Sequence, residues 1–179
     1  HPSMQQFHLV SPLATYEIET PLIGNHQIEN ISTAVACAEV LISRGYSIDK
    51  TAIERGVQKV QWPGRLQTFK VGLKSVLIDG AHNPFSAFRL VESVQEHFNF
   101  RRLRIVFGTL VGHDTQEILK HFSSLSPAVF LARSRHPKAS INRKVRAAAN
   151  AVNLREIKEF ATVGDALEVL PVLTEEFKK

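Results

Sequence analysis

The chain has 179 residues, 44% of them hydrophobic and 22% charged, which suits one packed domain or one domain plus part of another and excludes a disordered chain. One cysteine, Cys37, excludes an internal disulfide and a cysteine-rich metal site, and no apolar run approaches the ~20 residues of a membrane helix. The net charge of +5 suits nucleic acid or an anionic small ligand, but no nucleic-acid recognition module and no basic–aromatic alternation accompanies it, so neither nucleic acid nor a membrane is an expected partner. With no secretory signal visible, a cytoplasmic location is expected.

In chain order, residues 7–10 and 14–19 read as two short strands, too little to bury a core alone. Residues 26–43 read as a helix, because Ile28, Ile31, Val35, Ala38 and Ile42 recur at spacings of three and four. Arg44-Gly45 ends it, alanines 34, 36 and 38 favour close packing, and Cys37 among them is expected to pack. A second amphipathic helix follows over residues 49–60, capped by Ser47 or Asp49. Trp62-Pro63-Gly64 breaks the pattern and sets a boundary, giving segments 1–61 and 62–179.

The second segment alternates strand and helix. Strands are expected at 65–71, 75–78, 103–107 and 128–132, with a turn at Gly72-Leu73-Lys74. Helices are expected from Asn83 or Ser86 to Phe98, from Asp114 to Phe122, over 141–152, and from Gly164-Asp165 until Pro171 interrupts. This order specifies an α/β fold with a mostly parallel, doubly wound sheet. His97 and His121, on predicted helices, are expected at the surface.

The chemistry gathers at three places. His26, Gln27 and Asn30 form a polar cluster at the start of an apolar helix; they either cap and solvate it or meet a ligand such as an adenine edge. Arg65, behind Pro-Gly, can fork onto a phosphate or pair with an acid. Asp79, at a strand end, can accept from ribose hydroxyls or fix the turn. His82 and Asn83, at a helix start, can donate to phosphate oxygens or cap the helix. Among complete motifs, there is no Gly-x-x-x-x-Gly-Lys-Ser/Thr loop, no Gly-x-Ser-x-Gly elbow and no paired carboxylates at metal spacing.

Three stretches occur in order: Leu22-Ile23-Gly24-Asn25-His26-Gln27-Ile28-Glu29-Asn30, Trp62-Pro63-Gly64-Arg65 and Asp79-Gly80-Ala81-His82-Asn83-Pro84. Together they resemble the motifs of folylpolyglutamate synthase/dihydrofolate synthase, of the Mur ligase superfamily. The resemblance implies that residues 1–61 are the C-terminal remnant of a central ATP-binding domain. Residues 62–179 would be the Rossmann-like C-terminal ligase domain, expected to lack its last strand and helix. It implies ATP and Mg²⁺ as cofactors, with the metal ligands in a missing N-terminal part of the same protein, which becomes a partner. The implied reaction phosphorylates a dihydropteroate or folate carboxylate, after which the amino group of L-glutamate attacks the acyl phosphate.

Carried over residue by residue, Asn30 would contact adenine, Arg65 the phosphates and Asp79 the ribose region, with His82 beside them and His26 and Gln27 shaping the pocket. Closure of the C-terminal domain would bring Arg65 and Asp79 to the nucleotide. Glutamate is expected near the loop 133–138, at Ser134 and Lys138, where relatives often carry Pro-Arg and this chain has Pro137-Lys138. Relatives often carry Asp-Lys-Asp where this chain has Gly112-His113-Asp114. No catalytic and no metal-binding residue is assigned within the chain, and the chain alone is expected to be inactive. The competing readings are a Mur-type amino-acid ligase acting on a cell-wall precursor, and a non-catalytic nucleotide-binding α/β module.

Overall fold

The computed structural model describes residues 4–71 and 74–169, with the side chains of Val71 and Lys74 left aside. The chain divides into two compact units, one of His1–Gln67 with Leu77–Asp79 and the other of Thr68–Val76 with Gly80–Lys179.

In the first unit, β1 (Gln5–Val10) and β2 (Thr15–Thr20) form an antiparallel pair with Phe7 opposite Ile18 and Leu9 opposite Tyr16. Period-two alternation buries Tyr16, Ile18 and Thr20 on one face of β2. That face packs with Leu22, Ile31 and Val35 and with Ile53 into one core. Two strands that cannot bury a core alone therefore do so with α1 (Asn25–Ser43) and α2 (Lys50–Gln58). Helix α1 ends as predicted. Gly45 N–H donates to Ile42 O and Tyr46 N–H to Leu41 O, the pair of bonds of a Schellman stop. Helix α2 is capped by Asp49, which accepts from Ala52 N–H at 2.6 Å, and Gln58 Nε2 donates to Glu19 of β2.

Cys37, expected to pack, is exposed, and so are Ala34 and Ala36. At about 100° per residue, positions 34 and 36 lie well to either side of the buried Val35, and 37 lies further round. The single apolar stripe of α1 thus leaves them outside the core.

In the second unit, β5 (Arg104–Phe107), β6 (Ala128–Ala132) and β7 (Ile157–Phe160) form a parallel sheet in the order β5-β6-β7. β6 is the centre. Phe130 and Ala132 pack with Ala166 of α6 (Val163–Glu168) on one face, and the equally buried Val129 and Leu131 point to the other. Helices α4 (Thr115–Ser123) and α5 (Asn142–Ala151) connect the strands and pack on each other, while α3 (Pro84–His97) packs on α4. The fold is α/β with a parallel sheet, as expected. The first two predicted strands do not join that sheet: β3 (Gln67–Val71) and β4 (Lys74–Ile78) make a separate two-stranded sheet.

β3 starts two residues later than its apolar pattern suggests, because Leu66 has φ 45° and cannot be part of a strand. β7 escapes sequence reading, since in Ile157-Lys158-Glu159-Phe160 only the two end residues are apolar and half-buried, which gives no period-two alternation. His97 and His121 are half-buried rather than surface residues. The His121 ring lies 5.7 Å from Phe88 in an edge contact, an aromatic packing that helical spacing did not reveal. Helix α6 has a capping box between Thr162 and Asp165. The turn at Gly72-Leu73 and the interruption at Pro171 lie outside the described residues.

Candidate functional site

The polar start of α1 is built from the backbone outward. Gln5 of β1 accepts from Gly24 N–H at 3.0 Å and so holds the helix N-cap, which has φ 105°. One turn in, Gln27 is 1% exposed, and such a buried amide needs partners. It finds them on its neighbours: Asn30 Nδ2 donates to Gln27 Oε1 at 3.1 Å, and Gln27 Nε2 lies 3.2 Å from His26 Nε2. The three predicted residues are therefore one hydrogen-bonded row. Gln27 is its fixed centre, and Asn30 is exposed. Asn30 spends one amide proton on Gln27, leaving its carbonyl oxygen and second proton for a ligand.

The second element joins two sequence-distant pieces. Gly64 has φ 73° and Leu66 φ 45°, so the Trp62–Leu66 turn relies on a glycine and on a strained, buried leucine. Asp79 holds it in place, its Oδ2 accepting from Leu66 N–H at 2.9 Å. Between the two positive-φ residues, Arg65 lies over Trp62, with Cζ 5.3 Å from the ring centroid. It stacks rather than pairing with an acid among the described residues. Asp79 thus fixes the turn that carries Arg65. Structural and ligand-binding roles are not exclusive for a carboxylate, which has about four acceptor positions.

The third element is a cavity of about 310 Å³ in the second unit, lined by Ala81, His82, Phe107, Gly108, Thr109, Leu110, His113, Ile118 and Ser134. It opens at the carboxyl ends of β5 and β6, where parallel α/β sheets receive ligands. Its rim is rigid. Ser140 N–H donates to Thr109 O at 2.8 Å and Val111 N–H to Lys138 O at 2.8 Å, tying the loops after the two strands. Gly108 admits no side chain, since a Cβ there would stand 2.3 Å from Ala132 O.

His82 is placed by a proline-started helix. Asn83 caps α3, accepting from Ser86 N–H at 2.8 Å, and Ser86 Oγ accepts from His82 N–H and Asn83 N–H at 3.1 Å. Asn83 is therefore used as a cap. His82 Nδ1 lies 2.9 Å from Gly80 O, a contact that requires the proton on Nδ1 and leaves Nε2 for a ligand. Its ring is 5.7 Å from that of His113.

Of the two residues expected to meet glutamate, Ser134 lines the cavity and Lys138 does not. Lys138 is exposed, and its main chain bonds His136 Nδ1 and Val111. His113 and Thr109 were missed as site residues. The only sequence signal was Gly112-His113-Asp114 behind a strand ending Phe107-Gly108-Thr109. Asp114 itself caps α4, accepting from Glu117 N–H at 3.1 Å. Among the described residues, no three His, Cys, Asp or Glu side chains gather into a group able to hold a metal ion. No helix among the described residues is long and apolar enough to cross a membrane.

An α/β unit with a cavity at the mouths of its parallel strands has a Rossmann-like architecture. The chain belongs to the Mur ligase family: residues 64–176 match "Mur ligase, glutamate ligase domain". It is 30% identical over 154 residues to a dihydrofolate synthase/folylpolyglutamate synthase of Bacillus subtilis, covering 85% of this chain and 36% of the relative. The enzyme of the same name from Mycobacterium tuberculosis is 28% identical over 163 residues, covering 89% and 33%. A crystal structure of Mycobacterium tuberculosis folylpolyglutamate synthase complexed with ADP and AMPPCP superposes with a TM-score of 0.80 at 29% identity, covering 87% of this chain and 35% of that one. The chain spans about a third of the length of these relatives.

Proposed function

We propose that this chain is the C-terminal part of an ATP-dependent ligase that adds L-glutamate to dihydropteroate or to folate (poly)glutamates through an acyl phosphate. The observation that carries this reading is the bond from Leu66 N–H to Asp79, which unites the Trp-Pro-Gly-Arg turn with the Asp-Gly-Ala-His-Asn-Pro stretch. In this reading Arg65, held at the head of that turn, contacts phosphate, and Asp79, which fixes the turn, lies at the ribose region. Asn30 offers an amide to adenine from a row fixed by Gln27 and His26.

The cavity of the second unit takes the amino acid. Ser134 and Thr109 offer hydroxyls there, Phe107, Leu110 and Ile118 an apolar wall, and His82 an imidazole. Lys138, at the rim loop, supplies positive charge to an approaching dicarboxylate. The phosphate-binding loop and the residues that hold Mg²⁺ belong to the rest of the ligase, which is the partner this chain works with in the cytoplasm.

Two measurements test the reading. In a ligase of full family length carrying this chain, Arg65→Ala should lower kcat/KM for ATP on the order of a hundredfold, as loss of a desolvated charge contact does. Kinetics within a few-fold of the parent would refute the assignment. The purified 179-residue chain should release no ADP when given ATP, glutamate and a folate; glutamate-dependent release would show that the chain is catalytically complete.

A further inference from the structure

The cations of the second unit are not spread evenly. From Ile118 to Arg155 the chain carries eight lysines and arginines and no acid, so the surface this stretch builds is positive. Five of the eight come to one edge of the sheet. Arg133, Arg135 and Lys138 stand on the loop that leaves the carboxyl end of β6. Arg143 and Lys144 stand in the first turn of α5. Two bonds fix that turn at the same edge: Ser140 N–H donates to Thr109 O behind β5 at 2.8 Å, and Asn142 Nδ2 donates to Phe160 O at the end of β7 at 2.9 Å.

All five are exposed, and none makes an ion pair among the described residues. One turn further along α5, Arg146 pairs with Glu159 of β7, so the lack of pairing belongs to the edge and not to the helix. Asp114 and Asp165, the acids that the starts of α4 and α6 bring to this edge, are turned to backbone N–H groups. Like charges gathered without a counter-charge repel one another, and a bound polyanion removes that repulsion. The kind of anion follows from what the surface lacks. From Ala132 to Glu159 there is no Phe, Tyr or Trp, so a nucleic acid would find charge here but no ring on which to stack a base. A flexible chain of carboxylates needs only the charges.

We propose that this edge, outside the cavity, holds the γ-linked oligoglutamate tail of a folate acceptor and so favours acceptors that already carry several glutamates. The proposal rests on reading the chain as part of a folate ligase and adds to it a preference for tail length. In a γ-linked tail every residue keeps a free α-carboxylate, so each added glutamate brings one more negative charge on a flexible stem. Exposed ion pairs are individually weak, so no single cation is decisive and affinity grows with the number of carboxylates.

The test is a calorimetric titration of the 179-residue chain with γ-linked diglutamate and γ-linked pentaglutamate, at low and at high ionic strength. The pentaglutamate should bind about tenfold more tightly at low salt, and added salt should remove most of that advantage. Arg143→Gln combined with Lys144→Gln should cut the advantage to about twofold and leave diglutamate binding unchanged. Equal affinity for the two lengths in the parent chain, which needs no variant to fold, overturns the proposal, as does an advantage that the double variant retains in full. A single-stranded oligonucleotide of equal charge that binds more tightly than the pentaglutamate, and loses its binding in the double variant, overturns the choice of occupant. In a ligase of full family length carrying this chain, the double variant should raise KM for a pentaglutamate acceptor about fivefold, with kcat unchanged. The KM for a monoglutamate acceptor should stay as it is, and a KM unchanged for both acceptors overturns the preference for tail length. Failure of the ligase reading looks different: no glutamate is added to either acceptor, while the chain still binds the pentaglutamate by length and salt, an outcome that supports the surface.

Discussion

The two polar regions of the molecule use their hydrogen-bonding groups in opposite ways. In the first unit they are spent on each other: Gln27 is satisfied by His26 and Asn30, and Asp79 is committed to the backbone of Leu66. Below them, Tyr16 and Ser11 both donate to the buried carboxylate of Glu39. In the second unit the groups are held by backbone closure instead. The rim is tied through main-chain bonds and the Gly108–Ala132 approach, while His113 Nδ1 is buried without a hydrogen-bond partner among the described residues. The first region is held together by bonds that its side chains make. The second is held together by its main chain.

That contrast predicts where each region breaks. The largest effect belongs to the backbone-closed region. Gly108→Ala would drive a methyl to 2.3 Å from Ala132 O, and neither atom sits on a flexible side chain. The β5 and β6 ends must separate, costing about 3 kcal/mol in urea-melt stability and opening the cavity. Wild-type stability would show that the rim is looser than the close approach implies.

Next comes the side-chain-closed region. Asp79→Ala leaves the buried Leu66 N–H without its acceptor and should cost about 2 kcal/mol, the range of a hydrogen bond to a charged group. Asp79→Asn retains an acceptor oxygen and should recover about half of that. Equal losses in the two variants would mean that charge, not the bond to Leu66, holds the turn.

The smallest effect is read against pH. Burial first, and then the hydrogen bond and charge of Glu39, push the Tyr16 phenol above its ordinary value of 10.0. The folded chain keeps that proton where the unfolded chain has lost it. The stability it contributes is therefore complete below pH 10 and is lost as pH rises through the raised folded value. Tyr16→Phe should cost about 1 kcal/mol at neutral pH and remove this part of the alkaline decline in Tm. A variant with an unaltered decline between pH 9 and pH 11 would assign it to other groups.

Much of this was legible in the chain. Apolar periodicity placed α1 and α2, the Asp49 and Asn83 caps lie where their residue types allow, and the strand-helix alternation defined an α/β domain. Three short motifs carried a resemblance to the Mur ligase superfamily, and the match of residues 64–176 to its glutamate ligase domain agrees with it. Other features were not legible. β7 carries no alternation strong enough to mark an edge strand, and β3 begins late only because Leu66 takes a positive φ under the hold of Asp79. His113 looked like one of eight dispersed histidines.

The sequence by itself determined local conformation and residue chemistry, since helix spacing, caps and turn residues act over a few positions. Only the tertiary structure decided that Asp79 holds the turn of Arg65 across thirteen positions, and that the ends of β5 and β6 close a cavity around His82, His113 and Ser134. Such pairings depend on which strands lie side by side and how nearly their backbones touch. Those distances are set by the packing of the whole unit and are written in no single stretch.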